Sequence, residues 1–268
     1  MNQLNSGDQT TSHPGNPLLE AQNITVRFKG IVPLQDVSFE VQPGELFAII
    51  GPNGAGKSSL FNVLSRIYHP ATGSLKFNGL DLLSLSAHQL AKFGVARTFQ
   101  NLGLFPHLTV LDNVMVGKHA MMKTGLVLGG VYFGPASQEE EKHRRRCLEI
   151  LGFLNLLPWA FRPVQDLPYG IQKKVELARA LALEPKLLLM DEPVAGMNLE
   201  ETEEIASAIL DIKQELGITQ ILVEHDMAMI MGIVDRIMVL DLGKVIATGT
   251  PAQIQSNTEV IKAYLGTS

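Results

Sequence analysis

An α/β fold is predicted by three features of the chain. Gly51-Pro52-Asn53-Gly54-Ala55-Gly56-Lys57-Ser58 spells a complete G-x-x-x-x-G-K-[ST] loop, set between an apolar run, Leu46–Ile50, and a helical pattern at Leu60, Val63, Leu64 and Ile67. Two more short apolar runs, Leu187–Met190 and Ile221–Val223, read as strands buried on both faces. The segment between them, Glu200–Leu216, has helical spacing, so strand, helix and strand alternate as in a parallel sheet covered by helices.

The elements follow in chain order. The first 16 residues are polar, rich in Ser, Thr, Asn and Gln, and lack the basic and apolar regions of a secretion signal, so residues 1–17 are expected to form a disordered tail. Residues 22–42 alternate, with Ile24, Val26 and Phe28 on one face and Val37, Phe39 and Val41 on another, the pattern of half-exposed antiparallel strands. Gln42-Pro43-Gly44 turns the chain into the Leu46–Ile50 strand, and Asn78-Gly79 marks a tight turn between Leu75–Phe77 and Leu80–Leu83.

Helical spacing dominates residues 104–183, a helical subdomain broken by a glycine-bearing loop, Lys123–Ala136. Ser137-x-x-Glu140 is a capping-box signal for a helix running to about Leu154. Pro158, Pro163 and Pro168 mark an irregular stretch, and a second helix runs from about Gly170 to Leu183, stopped by Glu184-Pro185. After the two buried strands, Ile237–Leu240 and Lys244–Ala247 turn on Leu242-Gly243.

Composition bounds the function. With 46% hydrophobic and 18% charged residues, the 268-residue chain can bury a substantial core. A net charge of −5, with no basic stripe interleaved with aromatics, argues against nucleic acid as the ligand. The basic run Lys142-His143-Arg144-Arg145-Arg146 follows Glu139-Glu140-Glu141 and reads as a solvated helix face paired at i,i+4. Cys147, the single cysteine, excludes an intrachain disulfide and reads as a small core residue of a reducing compartment. The longest candidate span, Gly125–Phe133, is glycine-broken and far below the roughly 20 apolar residues a membrane helix needs.

The phosphate loop carries the first chemistry. Its glycines let backbone N–H groups turn toward a β-phosphate in front of a helix N-terminus. Lys57 supplies a charge for the β- and γ-phosphates and Ser58 a hydroxyl for Mg²⁺, so the ligand is a nucleoside triphosphate. Asp191-Glu192 closes an apolar strand, which sets Asp191 beside that metal and Glu192 where it can polarise an attacking water. His225 follows the next strand with the same edge position, within reach of a γ-phosphate. Gln100 precedes the helical stretch, and its neutral amide can ligate Mg²⁺ or the metal's water. The segment Leu167-Pro168-Tyr169-Gly170-Ile171-Gln172 opens a helix on a glycine turn, a second anion-seeking helix tip. Since the chain's own loop already holds one nucleotide, this tip makes sense as a cap on a nucleotide held by another subunit.

In this order, the motifs resemble the nucleotide-binding subunit of an ABC transporter over residues 18–266. The resemblance implies a P-loop NTPase (RecA-like) core with an antiparallel β subdomain and a helical ABC-specific insertion at about 104–183. It implies ATP and Mg²⁺ as ligands. Gly51, Pro52, Asn53, Gly54, Ala55, Gly56, Lys57, Ser58 and Ser59 would cradle the phosphates, and Phe28 matches the aromatic that stacks on adenine. Glu192, His225 and Gln100 would carry catalysis, and Ser58, Gln100 and Asp191 the metal. Tyr169, Gly170 and Gln172 would meet the partner's nucleotide, and Asn198 stands in the cross-dimer loop, where many members have aspartate. Two departures matter. Pro168 replaces a serine whose hydroxyl meets the partner's γ-phosphate, and Ile171 stands where the usual glutamine does, with Gln172 one residue late. Losing one neutral hydrogen bond costs about 1 kcal/mol, a weaker cap rather than a lost one.

Arg97-Thr98-Phe99-Gln100-Asn101, the Leu-Pro-Tyr-Gly signature, Val194–Asn198, the insertion from His119 to Ala136 and the ending Ile261–Gly266 resemble the branched-chain amino acid uptake branch. That branch implies a second cassette, identical or not, transmembrane permease subunits, and indirectly a solute-binding protein, with the chain peripheral at the cytoplasmic face of the inner membrane. Two rivals share the fold: a cassette exporting lipid or lipopolysaccharide as a homodimer, and a soluble switch ATPase of translation or DNA repair. The Pro-Tyr-Gly signature and the glycine-rich insertion favour uptake. The single cassette and the lack of long coiled coils disfavour the soluble switch.

Overall fold

The computed structural model describes residues 16–98, 103–119 and 135–265. The expected tail at 1–17 and the loop at 123–136 therefore fall largely outside the described residues. The chain begins with β1 (Leu19–Phe28), β2 (Ile31–Val41), β3 (Leu46–Ile50), α1 (Lys57–Leu64), β4 (Thr72–Phe77), β5 (Leu80–Asp81) and β6 (Val95–Arg97). The helical part supplies α2 (Val110–His119), α3 (Pro135–Phe153) and α4 (Tyr169–Leu181). The remainder comprises β7 (Leu187–Asp191), α5 (Leu199–Leu216), β8 (Thr219–Val223), α6 (Met227–Ile233), β9 (Arg236–Asp241), β10 (Lys244–Gly249), α7 (Pro251–Gln255) and α8 (Thr258–Leu265).

These strands form two sheets. One is antiparallel, in the order β2-β1-β4-β5; the other runs β10-β9-β3-β8-β7-β6 and is parallel apart from β10. Side chains of a strand alternate between faces, and the large sheet uses both. Leu46, Ala48 and Ile50 of β3 join Leu188, Met190 and Leu222 in a core shared with the helices α2 to α6. Phe47 and Ile49 point the other way, with Leu189, Ile221 and Met238, into a core roofed by the antiparallel sheet and α1. This explains the continuous apolar runs: no residue of β3, β7 or β8 faces water.

Small differences from the sequence expectation have local causes. Ile67 lies beyond α1 and is exposed, because Arg66 takes a left-handed backbone that ends the helix. Phe28 does not share the buried face of Ile24 and Val26; register shifts along β1 turn it outward. The helix predicted to start near Ser137 begins at Pro135, which suits a first-turn position where no amide partner is needed. The pairing foreseen on that helix is present as Glu141–Arg145 at 3.4 Å. The turn Leu242-Gly243 also ties the halves together. The Gln35 amide donates to the Gly243 carbonyl at 2.8 Å, and the Gly243 amide to the Ala55 carbonyl at 3.0 Å.

Cys147 is a free, fully buried thiol packed with Leu151 and Val114 in the helical core. Burial pushes its pKa from 9.0 to about 11. The unfolded chain therefore loses this proton at a lower pH than the folded one, and stability is expected to fall as pH rises from 9 to 11. Thermal unfolding between those pH values checks this: Cys147→Ala should flatten part of the slope. Thiol-specific alkylation of the wild type at pH 8 should require denaturant.

Candidate functional site

The site is built by strand register. Ile49 of β3 and Asp191 of β7 both pair with Val223 of β8, so three parallel strands end side by side. The phosphate loop leaves β3, Asp191-Glu192 leaves β7 and His225 follows β8 at the same sheet edge, where ligands of parallel sheets bind.

The loop turns through positive φ at Gly51, Gly54 and Gly56. Gly56, at φ 102°, caps α1, and a Cβ there would lie 2.5 Å from the Pro33 carbonyl oxygen. Only glycine satisfies both the backbone and the space. The Lys57 ammonium folds back on its own loop, donating to the carbonyls of Gly51 at 2.7 Å and Pro52 at 3.1 Å. Burial lowers its pKa, and the nearby Glu192 charge opposes that shift. The loop and the Asp191-Glu192 corner are thus in electrostatic contact. Phe28, 44% exposed, meets Tyr68 edge-on with ring centroids 4.9 Å apart, leaving an aromatic surface open.

Asp191 is buried, and the Arg97 guanidinium donates to its Oδ2 at 3.0 Å. Burial raises the Asp191 pKa, against the pull of Arg97. Arg97 is fixed in turn by Asn62 of α1 and by Ser65, which caps that helix behind the loop. Glu192 has a left-handed backbone, φ 48°, unusual for a residue with a side chain. Its amide donates to the Val223 carbonyl at 2.8 Å, and its Oε1 lies 3.9 Å from His225 Nδ1. Both of these side chains reach solvent. The expected grouping of Lys57, Asp191, Glu192 and His225 is therefore present in the fold. Gln100 lies outside the described residues.

The Tyr169–Gln172 turn stands apart from this cluster. Pro168 caps α4 with no side-chain bond, and the Gly170 amide donates to Glu201 Oε1 at 3.3 Å. Glu201 also closes a capping box with Asn198 at the start of α5. The helix tip expected to be free thus rests on an internal carboxylate. A Cβ on Gly170 would sit 2.9 Å from that oxygen. The Gln172 side chain turns back to donate to the Leu167 carbonyl at 2.8 Å, and the Tyr169 hydroxyl donates to the Ala195 carbonyl at 3.3 Å.

Sequence reading missed four supports of the site: Arg97, Glu201, Glu224 and Tyr264. The Tyr264 phenol of α8 lies beside the Gly51 backbone, and burial raises the phenol's pKa. Only Glu224, an acid between an apolar strand and His225, carried a local signal. The others act across separations of dozens to hundreds of residues that no local pattern reveals.

Residues 34–195 match the family described as ABC transporter, and residues 244–268 match the branched-chain amino acid ATP-binding cassette transporter family. The high-affinity branched-chain amino acid transport ATP-binding protein LivG of Escherichia coli (strain K12) is 39% identical over 250 residues, 93% of this chain and 98% of that protein. Among solved structures, the ADP conformation of MJ1267, an ATP-binding cassette of an ABC transporter, superposes with a TM-score of 0.83 at 31% identity, covering 94% of this chain and all of that one. A dimeric post-hydrolysis state of the cassette MJ0796 bound to ADP and Pi gives a TM-score of 0.72 at 26% identity, covering 87% of this chain and 98% of that one.

The Gly56 geometry yields a test. Gly56→Ala should lower stability by about 2–4 kcal/mol, the range for a forced left-handed backbone plus a backbone clash. It should also weaken ATP binding at least tenfold, measured by calorimetry beside thermal unfolding. A variant as stable and as tight as the wild type would contradict the described loop.

Proposed function

The chain belongs to the ABC transporter family, and from that premise we propose that it is the ATP-hydrolysing subunit of an importer for branched-chain amino acids. The observation that carries the reading is the alignment of three strand ends, which brings loop, acid pair and histidine to one edge. The match of residues 244–268 to the branched-chain family and the name of the relative supply the solute class.

In this reading Phe28 offers its open face to adenine, and the amides of Gly51 through Ser59 wrap the phosphates. Lys57 exchanges the carbonyls of Gly51 and Pro52 for β- and γ-phosphate oxygens, a charge-assisted gain over neutral acceptors. When bound with the triphosphate, Mg²⁺ would supply charge neutralisation at the γ-phosphate. Ser58, Asp191 and Gln100 would hold it; hydroxyl, carboxylate and amide oxygens are the donor set a hard cation prefers. Arg97 keeps Asp191 at the site edge rather than letting it swing. Glu192 orients and polarises the attacking water, and His225 faces the γ-phosphate. Most of the rate gain comes from placement and preorganised charge.

The second contact set serves a second cassette, identical or not. Tyr169, Gly170 and Gln172 would cap the partner's nucleotide, and Asn198 would line the same junction. A dimeric relative of this fold supports that arrangement. Glu201 must then yield the Gly170 amide to the incoming phosphate. Transmembrane permease subunits are the second partner. A groove lined by Phe105, Val116 and Leu183, with Arg97, Glu176 and Arg179 also in its lining, suits a short element of a permease. Among the described residues no helix is long and apolar enough to cross a membrane. Docked on the permease, the chain would sit peripherally on the cytoplasmic face, with a solute-binding protein acting through the permease.

Glu192→Gln tests the reading. It should bind ATP with wild-type affinity, reduce turnover at least 100-fold and hold an ATP-dependent dimer in size-exclusion chromatography. Hydrolysis at the wild-type rate would overturn the role given to Glu192.

A further inference from the structure

Behind His225 lies a buried carboxylate that the mechanism above does not use. The Glu224 side chain is fully enclosed, yet its two oxygens serve two different segments. Oε1 accepts from the Val194 amide at 3.1 Å, two residues past Glu192. Oε2 accepts from the amides of His225 at 2.9 Å and Asp226 at 3.4 Å. The His225 ring follows, with Nδ1 3.6 Å from the same oxygen. A carboxylate is a pure acceptor with about four lone-pair sites, so it can take all three amides at once.

The position of this clamp gives it a purpose. Glu192 holds a left-handed backbone, which persists only where the surroundings over-determine it. Its amide is tied to β8 through Val223, immediately before Glu224. Two residues on, Val194 is tied to the same chain end again, through Glu224 just past β8. The strained corner is thus pinned on both sides to one short stretch of the neighbouring strand, the stretch that also presents His225.

Resting on the proposed hydrolytic reading, we infer that Glu224 is a positioning residue that locks the Glu192 corner and the His225 backbone into one rigid unit. It touches neither substrate nor metal. It sets the separation of the two side chains that face the γ-phosphate, and it makes any movement of one strand end a movement of both. A misplacement of about 1 Å can cost a hundredfold in rate, so the clamp acts on turnover rather than on nucleotide affinity, which the phosphate loop governs.

Glu224→Gln is the discriminating variant, assayed in the full chain with its transporter partners. A glutamine keeps the shape but has one acceptor oxygen, and its amide group would oppose a backbone N–H on one arm. Turnover should fall 10- to 100-fold, with ATP affinity within twofold of wild type and a similar melting temperature. Hydrogen exchange should quicken at Val194 or at His225 and Asp226. Glu224→Asp, which keeps the charge but shortens the reach, should fall between the two, and it decides the matter in the same terms if the glutamine variant does not fold. Unchanged turnover in either folded variant overturns the inference, as does a parallel loss of ATP binding, the mark of a merely structural residue. Absence of hydrolysis by the wild-type complex would instead defeat the hydrolytic reading itself, and the inference with it.

Discussion

The parallel pairing of β3, β8 and β7 is the constraint on which the rest depends. Each ladder bond between these strands fixes a register, and the registers stop together at Ile49, Val223 and Asp191. The phosphate loop, the Asp191-Glu192 corner and His225 all leave the sheet within a few residues of that line. A slip of one residue in any strand would flip its side chains to the opposite face, exchanging the two apolar cores and moving the acids away from the loop. Burial of both faces makes such a slip costly, so the same apolar packing that stabilises the domain also sets the precision of the site.

The charges placed at this edge are held by short, specific contacts. Asp191 is taken out of water yet meets Arg97, itself bonded to the helix behind the phosphate loop. An unpaired carboxylate at that depth would be strongly disfavoured. Glu224 solves the same problem with backbone amides. Lys57 spends its charge on two carbonyls of its own loop until better acceptors arrive. These arrangements hold the groups near their working positions, which is what a reaction driven by placement requires. The left-handed Glu192 is the local strain that the surrounding bonds maintain.

The helical part serves a different end. α4 packs its buried face against the core while its first turn points at α5, where Glu201 joins Gly170 to the Asn198 cap. Lys173 and Glu176, a buried pair 3.5 Å apart, lie on the same helix near Thr98. The Tyr169–Gly170 turn and the groove therefore share α4: the turn opens the helix, and Glu176 and Ala180 farther along it line the groove.

Much of this was legible in the residue order. Apolar runs without polar breaks specified strands buried on both faces, the G-x-x-x-x-G-K-S loop specified a phosphate cradle, and Asp191-Glu192 and His225 were marked by following such strands. These are local signals, in which periodicity and backbone chemistry act within a few neighbours. Phe28 shows their limit: register shifts in β1 turned it away from the buried face that alternation predicted. What only the tertiary structure decided was pairing across distance. Arg97 meets Asp191 and Glu201 occupies the Gly170 amide because separate elements pack together. Such contacts depend on sheet order and helix packing, which many sequences with the same local pattern could satisfy differently.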